Sequence, residues 1–126
     1  MSTQDITTEQ FNDTITTNDI VLVDFWASWC GPCRAFAPTY SASSDKHPDV
    51  VHAKVDTEAE QGLAAAAEIQ AIPTLMAFKK GHMVFRHSGM LPAAELENVI
   101  EKIKDFDVEA AIAQGPPAEG AQAEQV

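Results

Sequence analysis

The stretch Val23-Asp24-Phe25-Trp26-Ala27-Ser28-Trp29-Cys30-Gly31-Pro32-Cys33 decides the fold. Its first half continues Ile20-Val21-Leu22, so residues 20–26 form a nearly unbroken run of β-branched and aromatic side chains. Such a run reads as a strand covered on both faces. Its second half opens a helix near Cys30 that extends to about Lys46. Pro32 falls in that helix's first turn, where a missing N–H costs nothing. Pro38 lies inside the helix and is expected to kink it, since it removes one backbone bond and crowds the preceding turn. Two cysteines three residues apart thus stand where a strand hands over to a helix. The first meets unpaired N–H groups and the positive end of the helix dipole, which favour thiolate. Cys30 is therefore expected to be the nucleophile, and Cys33, one turn further in and less exposed, the resolving thiol.

Residues 8–16 carry Phe11 and Ile15 at helical spacing behind Thr7 or Thr8 as a cap. Residues 50–55 read as a second buried strand, followed by an Ala-rich helix over about 58–69. Residues 74–78 and 83–87 are strands joined by Lys79-Lys80-Gly81-His82, and so short a connection favours an antiparallel hairpin. Residues 92–106 close the pattern as an amphipathic helix with Leu96, Val99, Ile100 and Ile103 on one face. Strand–helix–strand early and hairpin–helix late imply an α/β fold with a mixed sheet. From 107 onward the composition shifts to Ala, Glu, Gln, Gly and Pro. Residues 108–114 could prolong the helix until Gly115-Pro116-Pro117 stops it, and the rest is expected to be a disordered tail. The division is thus 1–106 and 107–126.

The chain has 126 residues, enough for one domain with one core. Eight Lys and Arg stand against nineteen Asp and Glu, a formal net charge of −11. That balance argues against nucleic acid, whose phosphates need a basic face, and against anionic lipid. Residues 1–10 contain neither basic residue nor apolar run, so a secretory leader is not expected. No stretch approaches a membrane span. Cys30 and Cys33 are the only cysteines, which excludes a disulfide-stapled secreted scaffold and sets the cytoplasm as the expected compartment.

Three plain readings compete with redox chemistry for this pair. A structural disulfide closing so short a loop removes little entropy from the unfolded chain. A structural zinc site usually needs four ligands, and there is no second cysteine pair; His47 and His52 are more simply surface or strand histidines. The pair could be incidental, but Trp29 before it and Gly31-Pro32 within it weigh against that. The βαβ setting favours the redox reading, with no metal.

At this point the chain resembles the thioredoxin family. The resemblance rests on residues 23–34, Ala37-Pro38, Lys54-Val55-Asp56, Ile72-Pro73-Thr74, Phe78-Lys79-Lys80-Gly81 and Gly89, in order over about residues 6–106. It implies the thioredoxin fold, a central mixed five-stranded sheet flanked by four helices. It further implies that Asp24, an expensive charge within an apolar strand, accepts a proton from Cys33 in the resolving step. The competing role for Asp24 is a structural pairing with Lys54 on the neighbouring strand. Ile72-Pro73 resembles the family's cis-proline loop, which would offer backbone groups to an extended substrate; a plain trans turn is the alternative. Trp29, Ile72, Pro73 and Gly89 would then bind substrate on a low-relief, uncharged patch, Gly31 and Pro32 would tune the potential, and Trp26 would pack beneath the site. Ser88 and Met90 depart from the small apolar residues more usual beside that glycine, and the run Ser41-Ala42-Ser43-Ser44-Asp45-Lys46 makes the end of the second helix unusually hydrophilic.

The implied activity is reduction of protein disulfides by dithiol–disulfide exchange, contributing to redox homeostasis and electron transport. The redox-active Cys30–Cys33 disulfide serves in place of a bound cofactor. Implied partners are protein disulfides and an NADPH-dependent thioredoxin reductase, with the chain a monomer. The alternatives are a disulfide oxidase or isomerase, or a non-catalytic binding subunit or holdase using the same surface.

Overall fold

A computed structural model describes residues 3–113. In chain order the elements are β1 (Thr3–Asp5), α1 (Thr8–Thr17), β2 (Ile20–Trp26), α2 (Gly31–Lys46), β3 (Val51–Asp56), α3 (Gln61–Ala66), β4 (Thr74–Lys79), β5 (His82–Ser88), α4 (Ala93–Asp105) and α5 (Val108–Ala113). The five strands form one sheet in the order β1-β3-β2-β4-β5. β1, β3 and β2 run parallel, whereas β4 and β5 are antiparallel. The mixed five-stranded sheet is as expected.

β2 lies at the centre, and its alternation builds both layers. Ile20 and Leu22 join Phe36 and Tyr40 of α2 and Leu96, Ile100 and Ile103 of α4 in one core. Val21, Val23 and Phe25 face the other side, where Ile15, Val55, Met76 and Phe78 complete a second core under α1 and α3. Asp24 therefore projects from the face of the sheet that α2 and α4 cover. α2 runs on through Pro38 as one helix from Gly31 to Lys46.

Several elements differ from expectation. β1 carries no apolar alternation; it exists because Thr3-Gln4-Asp5 pairs with His52-Ala53-Lys54 at the sheet edge. The Ala-rich helix is shorter than 58–69. Its start is delayed because Asp56 Oδ1 accepts the N–H groups of Glu58 and Ala59 in a turn. It ends where Glu68 adopts φ 57° and the Ile69 N–H reaches back to the Ala64 carbonyl, a helix stop usually built on glycine. Arg86 of β5 donates to the Ala67 and Glu68 carbonyls and satisfies that end. The β4–β5 connection is only Lys80-Gly81, both at positive φ, which suits the twist of a tight hairpin.

There are five helices among the described residues rather than four. Helix α4 ends at Asp105, Phe106 is extended, and Asp107 Oδ1 accepts the Ala110 N–H to start α5. Val108 is buried and Glu109 pairs with Lys80 at 3.1 Å. The expectation for residues 114–126 lies outside the described residues.

Candidate active site

The site forms where the central strand stops. After Trp26, Ala27-Ser28-Trp29 carries the chain to Cys30, whose N–H bonds the Ala27 carbonyl at 3.2 Å. Cys30 is the N-cap of α2, its backbone still extended, and its Sγ accepts the Cys33 N–H at 3.2 Å. A sulfur so placed is where a helix start accommodates negative charge. The two cysteines are joined as a disulfide with Cα atoms 5.2 Å apart, so the structure shows the oxidised form. Both are buried against Ala27, Trp26 and Ile72, whereas Gly31 and Pro32 are exposed.

Opposite the disulfide, the Ile72–Pro73 peptide is cis, as the resemblance implied. The Ile72 carbonyl oxygen lies 3.7 Å from Cys30 Sγ. Gly89 donates its N–H to the Pro73 carbonyl at 2.7 Å, and its φ of +105° is one that a side chain would strain. Trp29 is 65 % exposed, its indole N–H bonded to Glu58 Oε2 at 3.3 Å. With Ile72, Gly89 and the exposed Met90, it leaves apolar surface beside a buried sulfur.

Asp24 is buried beneath α2, and its Oδ1 has no hydrogen-bond partner. Loss of water raises its pKa to about 7 against the opposing pull of Lys54. Lys54 is its register partner on β3, yet no ion pair joins them among the described residues. The Lys54 ammonium instead sits 4.7 Å above the Trp26 ring. Trp26 is half-buried, with its indole N–H unpartnered. Burial and the Asp24 charge hold the Tyr40 hydroxyl well above its ordinary pKa, and that hydroxyl donates to the Ala53 carbonyl at 2.8 Å.

The two histidines considered as zinc ligands are both buried. His52 donates from Nδ1 to the Val50 carbonyl and accepts the Ser43 hydroxyl at Nε2, each at 3.0 Å, and desolvation lowers its pKa. His47, Glu97 and Glu101 lie close enough to share an ion. Lys104 nevertheless donates to His47 Nδ1 at 3.0 Å, leaving Nε2 to carry the proton that bonds Glu97 at 2.9 Å. A cation already occupies that neighbourhood.

Glu58 was not legible as part of the site, because the loop that delivers it to Trp29 is set by tertiary packing. Thr74 was visible only as the end of the Ile-Pro-Thr run.

A helix-capping cysteine disulfide at the end of a central strand, faced by a cis-proline loop, defines a thiol–disulfide oxidoreductase. The chain belongs to the thioredoxin family, whose profile matches residues 2–102. It is 46 % identical over 108 residues to "Putative thioredoxin 2" of Streptomyces coelicolor, covering 86 % of this chain and 81 % of that one. It is 38 % identical over 104 residues to a thioredoxin of Porphyra purpurea, covering 81 % and 97 % respectively. Among solved structures, a mutant thioredoxin from Halobacterium salinarum superposes with TM-score 0.78 at 30 % identity, covering 84 % of this chain and 94 % of that one. Thioredoxin from Plasmodium falciparum does so with TM-score 0.74 at 32 % identity, covering 79 % and 97 %. The protein is a protein-disulfide reductase acting through Cys30 and Cys33, and the oxidase, isomerase and holdase alternatives are not favoured. No helix among the described residues is long and apolar enough to cross a membrane.

Proposed function

We propose that Cys30 attacks the substrate, Cys33 resolves, and Asp24 takes the resolving thiol's proton. In this reading the Cys30 thiolate attacks one sulfur of a protein disulfide, and the other substrate sulfur leaves as thiolate. Cys33, deprotonated with the help of Asp24, then attacks Cys30 Sγ and expels the second substrate sulfur. The Cys30–Cys33 dithiol is oxidised to a disulfide, and the substrate gains two electrons. The carrying observation is the Cys30 cap, whose sulfur already accepts a helix N–H. A buried carboxyl whose Oδ1 lacks a hydrogen-bond partner, with a pKa near neutrality, supports the part given to Asp24.

The substrate is read as an extended segment lying between Trp29 and the Ile72–Pro73 loop, with Gly89 at the rim and Gly31-Pro32 setting the potential. Lys54 and Trp26 support Asp24 from the side. The pair is recycled by an NADPH-dependent thioredoxin reductase, without a separate cofactor. The chain acts as a monomer in the cytoplasm, maintaining redox homeostasis as an electron carrier; confinement of its cysteines to one redox pair fits a reducing compartment.

Insulin reduction with NADPH and a thioredoxin reductase tests these roles. Cys30→Ser is expected to fall to background, and Cys33→Ser to accumulate a mixed disulfide on Cys30. A Cys30→Ser variant that still turned over would overturn the assignment.

A further inference from the structure

The hydroxyl of Ser88, at the end of β5, is not idle. Thr74 and Ser88 are direct cross-strand partners of β4 and β5. Thr74 is fully buried, and its Oγ1 donates to the Ala71 carbonyl. A threonine hydroxyl has one proton, and a carbonyl can only accept. The 3.1 Å contact between Thr74 Oγ1 and Ser88 Oγ therefore runs one way, with Ser88 donating. The relay is Ser88 to Thr74 to the Ala71 carbonyl.

That relay ends on the residue just before Ile72-Pro73. On the other side of the same peptide, the Gly89 N–H holds the Pro73 carbonyl at 2.7 Å. Thr74, itself held by Ser88, and Gly89 thus bond backbone carbonyls on both flanks of Ile72, the residue whose carbonyl faces Cys30 Sγ at 3.7 Å.

We propose that Ser88 is a positioning residue for protein-disulfide reduction, holding the Ala71-Ile72-Pro73 backbone through Thr74 in the posture that pairs with a substrate strand. The inference rests on the reading of that loop as the substrate-pairing segment. Strand pairing needs backbone donors and acceptors held in register, so a looser loop weakens docking of a polypeptide. A small disulfide reaches the sulfur without pairing to the loop, and its rate does not depend on Ser88.

The test compares insulin with a small aromatic disulfide, using the full-length chain. Ser88→Ala and Ser88→Val each remove the donor, and the KM for insulin is expected to rise about threefold to tenfold, the worth of one hydrogen bond. Their kcat/KM toward the small disulfide and their Cys30–Cys33 potential stay at the parent values. Ser88→Thr retains the hydroxyl and restores the insulin KM. Ile72→Asp, which puts a charge on the loop's face, raises the insulin KM whether or not Ser88 has a part. If it does so while Ser88→Ala does not, the proposal is overturned and the substrate-pairing loop stands. If neither variant changes the insulin KM, the loop reading falls and takes the proposal with it. Equal slowing of both substrates by Ser88→Ala also overturns it, because that reports a general structural defect.

Discussion

Asp24 is a residue the fold keeps at a cost. Its carboxyl pKa is about 7 in the folded protein against 3.8 in an unperturbed chain. Between those values the unfolded chain has released the proton and the folded one retains it, so stability falls as pH rises across that window. At about 1.4 kcal/mol per pKa unit, the loss by pH 8 is on the order of 4 kcal/mol. Asp24→Asn is therefore expected to raise the urea midpoint at pH 8, to change it little at pH 4, and to slow insulin reduction. An unchanged midpoint at pH 8 would mean that Asp24 is well solvated. His52 works in the opposite sense. Desolvation lowers its pKa below the ordinary 6.5, so its neutral, doubly bonded state is fully stabilising above that value and loses ground as pH falls below it. His52→Gln should flatten the acid limb of the stability curve. Asp24 stood out in the sequence as a lone charge in an apolar strand. His52 did not, because a histidine in a strand looks the same whether it faces water or a serine.

Among the elements, α4 depends on a side chain far from it in sequence. Lys79, buried at the end of β4, donates to the carbonyls of Ile103, Lys104 and Phe106 at 2.8, 2.9 and 2.7 Å. A cation there satisfies the helix's orphan acceptors and meets the negative end of its dipole. Lys79→Met keeps the length but leaves those carbonyls without their donor. It should cost about 2–4 kcal/mol in denaturant unfolding, with the specific activity of the folded fraction unchanged. Amide exchange at the end of α4 should quicken first. The helix itself was plain from its apolar period, but its cap was not, since 24 residues or more separate Lys79 from the groups it binds. The same limit applies to β1, whose three polar residues become a strand only because β3 offers an edge. It also explains the short α3, which ends on Glu68 rather than on a glycine.

The whole chain carries a formal net charge of −11. Self-repulsion of that size opposes the compact state, and it is screened by salt. Raising sodium chloride from a few millimolar to several hundred millimolar should increase the thermal midpoint, in Asp24→Asn as well as in the parent chain. A midpoint insensitive to salt would show that the charges are already compensated locally, as Lys80–Glu109 and Lys104–Asp49 are. Two cores, one on each face of the sheet, converge on β2, so the redox pair follows a strand buried on both faces.

By itself the sequence determined the buried central strand, the helix that starts on Cys30, the hairpin, the last amphipathic helix and the chemistry of the cysteine pair. Each of these is written in residues that are neighbours along the chain. Tertiary structure alone decided what faces the pair. It set the cis form of Ile72–Pro73, the carbonyl beside Cys30, the solitary burial of Asp24 with Lys54 turned onto Trp26, and the grip of Ser88 through Thr74. Those features are contacts between distant segments, whose energies exist only after β2, β4 and β5 have paired.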